Sequence, residues 1–398
     1  MRGYAADLED KPRTGLRMSE LLNKSPFDPV REPRLVVFAD SLPPDFGAVG
    51  QYALLRAQAF AERGHLVELF GLTSAAASVE HSEHGRGSLT VTRISASPVP
   101  RGSLFARLVW TLWINLRLVS SAFGRLRAAD GVLFTGSPPF LIHFLAPLGF
   151  LLKGRLVYRI TDFHPECLMA AQDHPSRALR VLQKLTNFWR RRIDAFEVLG
   201  EDQWRRLREQ GIADERISLV RDGSPIVVPD KEAARPLPPE LEGKCVLLYS
   251  GNFGIAHELE TVARGYQLHH QSGSGRVHLW INATGMGAGV LSDRLAASGV
   301  PFFRSMPVPL EQLAGLLLSA DAHLVTLKDP FVGFVMPSKI YAILELHRPL
   351  LFVGSAESDI DLLARQQVGL PYWRIACGNV AGFAQILESL ADQMKRNS

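Results

Sequence analysis

Short apolar runs alternate along the chain with longer stretches in which apolar residues recur every three or four positions. The runs LVVFAD (35–40), LVELFG (66–71), GVLFT (131–135), RLVYRI (155–160), AFEVLG (195–200) and ISLVR (217–221) predict strands, and 50–63 predicts a helix between the first two. These strands are apolar on both faces, the pattern of a sheet covered by helices on each side. Alternation of strand and helix implies a parallel sheet with right-handed crossovers. The pattern breaks at 224–244, SPIVVPDKEAARPLPPELEGK, which holds five prolines and no sustained period. Proline withholds a backbone donor and disfavours helix at the residue before it, so this stretch predicts an interdomain linker. Beyond it CVLLYS (245–250), VHLWIN (277–282), AHLVTL (322–327) and PLLFVG (349–354) restart the series. The expected fold class is α/β, with two Rossmann-like, doubly wound parallel-sheet domains at 34–223 and 245–379. Residues 1–33 are polar, proline-containing and charged at both signs, so they predict a poorly ordered extension rather than a signal peptide.

Composition narrows the class. A length of 398 residues suits two or three domains, and 46% hydrophobic with 21% charged residues excludes disordered and fibrous chains. Cys167, Cys245 and Cys377 lie far apart without a CxxC, which excludes a disulfide scaffold and a cysteine-based zinc site and favours a reduced, intracellular protein. The net charge, 44 − 40 = +4, is too small to argue for nucleic acid. It is unevenly spread: 31–222 carries 25 basic and 19 acidic residues, whereas 231–398 carries 14 and 15.

The span 104–126 (LFARLVWTLWINLRLVSSAFGRL) is strongly apolar, yet it carries Arg107, Arg117, Arg125 and Asn115. Each arginine near a bilayer centre costs about 2.5–3.5 kcal/mol, so it is not a transmembrane span. The stretch 140–155 is too short to cross and holds Pro147. Two readings of 104–126 remain open: a core helix, or a helix lying in the membrane interface with Trp110 and Trp113 at headgroup level.

Ligands of doubly wound sheets bind beyond the carboxyl ends of the strands. Three glycine loops stand at such ends. DSLPPDFGAVGQY (40–52) offers Gly47 and Gly50 before a helix whose free N–H groups attract anions, although no Walker motif follows. YSGNFGIAHE (249–258) offers Gly251, Asn252 and Gly254, with His257 placed to donate to a phosphate oxygen. ATGMGAG (283–289) brings Gly285 and Gly287. In FVGFVMPSKIYAIL (331–344), Pro337 suits the first turn of a helix, which sets Ser338 and Lys339 at its N-terminal end. A lysine there opposes the macrodipole, and an anion between them relieves the conflict. In RITDFHPECL (159–168), Asp162, His164 and Glu166 follow a strand, where such groups bind sugar hydroxyls or move a proton. The segment signals a metal site only weakly, since it is not HExxH and no second His/Asp cluster stands to complete it.

Together these segments resemble the retaining, nucleotide-sugar-dependent glycosyltransferases of the GT-B fold, particularly the bacterial branch that builds O-antigen, colanic acid and related exopolysaccharides. The likeness runs from about residue 34 to the end and rests on FGAVGQYALLRAQAFAERGHLVELF, FTGSPPFL, TDFHPE, YSGNFGIAHELET and VMPSKIYAIL followed by RPLLFVG. It implies two domains facing across a cleft, the N-terminal one holding a glycan or lipid-linked acceptor and the C-terminal one the nucleotide-diphosphate sugar, the co-substrate. It further implies a last helix, 380–398, that crosses back to the first domain.

By the same resemblance Asp162, Glu166 and Lys339 take the catalytic positions. Gly47, Gly50, Gly251, Asn252, Gly254, His257, Gly285, Gly287, Pro337 and Ser338 take the donor-binding ones. Transfer would need no metal or other cofactor, because helix ends and Lys339 neutralise the diphosphate. A cytoplasmic protein with peripheral contact at the inner membrane face, and no nucleic-acid partner, is expected. Two rivals share the plan: a nucleotide-sugar epimerase or hydrolase, and a non-catalytic nucleotide-sugar-binding or scaffold protein. The chain departs from the wider family at Phe334 and Ala342, where two glutamates are usual, and at Thr161, Asp222 and Ile255.

Overall fold

The computed structural model describes residues 26–31, 33–45, 47–97, 104–224, 226 and 234–397. Its N-terminal lobe is built on eight strands: β1 (Arg34–Ser41), β2 (Leu66–Thr73), β3 (Ser78–His84), β4 (Gly87–Ser95), β5 (Gly131–Thr135), β6 (Arg155–Ile160), β7 (Ala195–Val198) and β8 (Ile217–Leu219). They lie in the order β3-β4-β2-β1-β5-β6-β7-β8, parallel except for β3, which runs antiparallel to β4. Helix α1 (Ala48–Glu62) packs against β1 and β2. The others in this lobe are α2 (Leu104–Leu126), α3 (Ile142–Leu148), α4 (Glu166–Ala170), α5 (Arg177–Arg190) and α6 (Glu201–Glu209).

The C-terminal lobe carries six parallel strands in the order β11-β10-β9-β12-β13-β14. These are β9 (Cys245–Asn252), β10 (Val277–Thr284), β11 (Phe302–Ser305), β12 (Ala322–Thr326), β13 (Leu350–Val353) and β14 (Tyr372–Ile375). Its helices are α7 (Glu260–Ser272), α8 (Met286–Ala297), α9 (Leu313–Leu318), α10 (Lys339–Glu345), α11 (Asp359–Arg365) and α12 (Val380–Asn397). The expected pair of doubly wound sheets is therefore present. Every strand predicted from a two-faced apolar run is found, because those runs fill the sheet centres. The pattern missed β3, β4, β11 and β14. β3 faces solvent along most of its length, β4 alternates buried and half-buried residues, and β11 is half-exposed, so none has an apolar run.

Three expectations are corrected. Residues 1–25 and 32 lie outside the described residues, but Phe27 in the expected loose extension is buried against Phe60, ring centroids 5.9 Å apart. Within the expected linker, 225 and 227–233 lie outside the described residues. Ile226 and Leu241 on either side are buried in the C-terminal lobe's core, so the linker's flanks belong to that lobe. Helix α12 does not cross back. It packs on α7, and Phe383, Leu387 and Leu390 are buried with the β9–β10 core beside residues of α7.

Among the contacts between the lobes are a wedge and a latch. Phe334 packs on Phe163 of the N-terminal lobe at 5.9 Å between centroids, under the Arg206 guanidinium at 4.8 Å. Arg221 donates twice to the Asp359 carboxylate at 2.9 Å, and Asp359 N–H donates to Asp202 at 3.1 Å.

Candidate functional site

The carboxyl ends of β1, β5 and β6 face the loop before α10 across a cavity of about 150 Å³. Thr135, Thr161 and Asp162 line it from one lobe, Met336 and Ser338 from the other. Asp162 is fixed by main chain: residues 162 and 335 form an antiparallel bridge, and Phe163 N–H donates to Phe334 O at 2.9 Å. Its side chain keeps part of its surface open to the cavity, and burial raises its carboxyl to about 6. Water loss penalises the charged form, so this carboxylate holds a proton more readily than a surface one.

Glu166 is elsewhere. It is buried, and both its oxygens accept from Arg190, with Gln210 Nε2 donating at 3.2 Å. Burial opposes its charge, but the Arg190 guanidinium outweighs that and holds the carboxyl below the usual range. A carboxylate so engaged balances a buried arginine, and at 2% exposure it is shut away from a substrate. The expected catalytic role for Glu166 is thus not supported. His164, beside it, is lowered to about 4 by burial.

On the opposite side Lys339 opens α10. Its Nζ is buried without a hydrogen-bond partner and lies 3.4 Å from the Tyr249 ring centroid. Burial drives its pKa well below the usual lysine range. Gly251, at the end of β9, has φ +119°, and a side chain there would come within 3.7 Å of Lys339 Cε. Ser338 precedes α10 without capping it through its side chain, and Pro337 lies one residue earlier. His257 meets Thr326 O through Nδ1 at 2.8 Å. A carbonyl only accepts, so Nδ1 carries the proton and neutral Nε2 is left as an acceptor. Burial, and then the charge of Lys339, lowers this histidine to about 3. The expected donation to a phosphate therefore requires an anion whose charge first favours a second proton on Nε2.

The remaining glycines divide. Gly50 is a packing requirement, since a Cβ there would lie 1.8 Å from Ser41 O, whereas Gly47 would meet only that same oxygen at 3.8 Å. Gly285 and Gly287 let α8 approach the loop at Asn252 and Phe253, which a Cβ on either would strike at 2.3 Å. Asn252 is exposed at the end of β9, and Gly254 has no close neighbour but the Asn252 amide at 3.6 Å. The structure thus gathers Asp162 and Ser338 at the cavity, and Gly251, His257 and Lys339 in one adjoining group. Gly47 and Gly50 sit at the mouth of α1, and Glu166 is removed.

A charge network that lines the N-terminal side of the cavity was not anticipated. Arg56 donates to Glu197 at 2.7 Å; Arg159 donates to Glu197 at 2.9 Å and to Asp222 at 2.5 Å; Tyr52 OH donates to Gly223 O at 2.9 Å. Burial opposes the charges of Arg56, Arg159 and Glu197. Asp222 and Glu197 nevertheless raise Arg159, and Arg56 and Arg159 hold Glu197 down. The signal was available: Arg159 and Glu197 are lone opposite charges inside apolar strands and stand as direct partners in the β6–β7 register. Buried charges of that kind must be paired.

Neither position of the absent glutamates is replaced by another acid. Phe334 forms the wedge, and Ala342 is buried in the C-terminal core. Among the described residues no group of three potential metal ligands is found, and no helix is long and apolar enough to cross a membrane.

No family model matches the chain. Over 302 residues it is 25% identical to the Probable glycosyltransferase WbjE of Pseudomonas aeruginosa, which covers 72% of this chain and 71% of that protein. Among solved structures it is similar to a UDP-forming α,α-trehalose-phosphate synthase from Burkholderia xenovorans, with a TM-score of 0.61 at 13% identity over 92% of this chain and 94% of that one. A trehalose-6-phosphate structure from E. coli bound with UDP-2-fluoro glucose gives a TM-score of 0.57 at 13% identity over 91% and 94%. The fold is the GT-B arrangement that the sequence resemblance implied.

Proposed function

We propose that the protein is a retaining glycosyltransferase that moves a sugar from a nucleotide-diphosphate donor to a glycan or lipid-linked acceptor. One observation carries this reading most: a buried, unpartnered lysine Nζ at the start of α10 stands beside the Gly251 turn, one residue on from Ser338, which lines the cavity with Asp162. An isolated buried lysine is costly unless an anion joins it. A diphosphate between the α10 start and the Gly251 turn would restore the charge of Lys339 and draw a proton onto His257. The sugar would then extend toward the cavity and Asp162. The WbjE relative and the bound UDP-sugar analogue in a structural neighbour support the same reading.

In the proposed transfer, the bond from C1 to the β-phosphate oxygen breaks while a bond from C1 to the acceptor oxygen forms on the same face. The acceptor's proton passes to the departing phosphate oxygen. Lys339 and protonated His257 would stabilise the charge that develops on the leaving group, and Asp162 would orient the acceptor. Residues 34–223 would take the acceptor and 245–379 the donor, with peripheral contact at the inner face of the cytoplasmic membrane.

Lys339→Ala is expected to cut transfer by about a hundredfold and weaken UDP or GDP binding in calorimetry, with an unchanged circular dichroism spectrum. Unaltered turnover and affinity would remove the assignment. Binding of a nucleotide sugar without transfer to any acceptor would favour a sensor, and no binding at all a scaffold.

A further inference from the structure

Three helices lie in a row over one face of the N-terminal sheet: α2 touches α3, and α3 touches α5. All three pack against the same core, yet α2, the turn after α3, and α5 also present apolar residues outward. On α2 the core side is Ile114, Leu118, Ala122 and Leu126. A second stripe, Phe105, Leu108, Leu112, Trp113 and Leu116, recurs at helical spacing and is exposed, Phe105 at 75% and Trp113 at 60%. The turn after α3 adds Phe150 and Leu151, both more than 70% exposed. On α5 the exposed residues Val181, Leu185 and Phe188 again share one helix face. A lone surface leucine needs no explanation, but a run across three adjacent elements marks an interaction site.

The charge on this face says what covers it. Residues 104–127 contain four arginines and no Asp or Glu; residues 177–192 contain five arginines and one lysine, again with no acid. Arg190 is spent on Glu166 and Arg125 on Glu68, but Lys184, Arg191 and Arg192 are exposed, and Arg192 lies over the Phe188 ring at 3.5 Å. Apolar side chains interleaved with cations and free of carboxylates match a surface that is apolar just below a layer of negative charge. α2, with 23 residues, would be about 35 Å long and lies along the fold's surface, so the fit is to a plane rather than a pore.

We propose that the outer faces of α2 and α5, with the turn after α3 between them, seat the protein on a bilayer rich in anionic lipid. This deepens the membrane contact stated above and rests on it. The seat is also connected to the cavity. Asn115, buried in α2, donates to Pro139 O at 2.9 Å and so holds the β5–α3 loop, in which Ser137 bonds Asp40 and Gly136 lies against the Asp162 main chain. A lipid-linked acceptor can therefore keep its tail in the bilayer while its headgroup enters beside that loop.

The test is flotation of the full chain with vesicles of phosphatidylglycerol and phosphatidylethanolamine, and with vesicles of phosphatidylcholine alone. The wild type is expected to float with the first and not the second, and to lose binding in high salt. Leu112→Asp/Trp113→Asp is expected to lower the bound fraction at least tenfold, and Lys184→Glu/Arg191→Glu several-fold. Both pairs are exposed, and a thermal melt checks that the fold survives. Nucleotide binding by calorimetry should be unaltered in both variants. If that binding is missing in the wild type while flotation holds, the transferase reading fails and the seat stands. Equal flotation of wild type and variants overturns the proposal, as does equal binding to phosphatidylcholine. Concentration-dependent dimers that Leu112→Asp/Trp113→Asp abolishes, with no flotation, would assign the face to a second copy.

Discussion

Each lobe buries charge near the cleft, and the two do so in opposite ways. Among the described residues of the N-terminal lobe the buried arginines have their anions: Arg190 holds Glu166, Arg93 holds Glu80, Arg56 and Arg159 share Glu197, and Arg159 also holds Asp222. In the C-terminal lobe Lys339 has only an aromatic face beneath it. A paired charge spends its interaction on the fold, and removing one partner strands the other. An unpaired one holds its interaction in reserve for something that arrives. The contrast separates Glu166 from Lys339, which sequence placed in the same role.

The strongest way to break the contrast is Arg190→Ala, which leaves Glu166 buried without its counter-ion and should cost about 3–5 kcal/mol in urea unfolding. A loss under 1 kcal/mol would mean that Glu166 is free to act elsewhere. Next, Gly50→Ala forces a methyl group onto Ser41 O and should cost about 3 kcal/mol, while Gly47→Ala should cost little. Equal costs would return both glycines to a ligand role.

Asp162→Asn sharpens the picture from the other side. A carboxyl raised on folding binds its proton more tightly in the folded state, so stability is fullest below its unfolded value and declines as pH climbs through about 6. The asparagine variant should therefore be about 1–3 kcal/mol more stable than wild type at pH 8 and no different at pH 3.5, while transfer falls and donor binding persists. Wild-type transfer rates would count against Asp162. The smallest effect is on stability in Lys339→Ala, within about 1 kcal/mol of wild type, since no partner is stranded. A large loss there would make the lysine part of the fold.

Much of this was legible in the chain. Two-faced apolar runs identified the central strands because burial on both sides leaves no room for polar residues. They failed at β3 and β11, where exposure erases the pattern. The Pro-Ser-Lys turn was readable because a lysine at a helix start has a physical cost that asks for an explanation. The ion pair of Glu166 was not legible because its partner Arg190 lies 24 positions away at the end of another helix, a distance that no local spacing reveals. α12 was misplaced because an amphipathic helix declares that it has a buried side, not which lobe buries it.

The bridge between residues 162 and 335, with Phe334 seated on Phe163, has a kinetic meaning. Swinging the lobes apart must peel main chain from main chain and expose a packed aromatic pair, so gaping and the loss of Asp162's alignment are one event. Product departure along that route would dismantle the workbench each cycle. A side exit that leaves the seam shut would keep it assembled between turnovers.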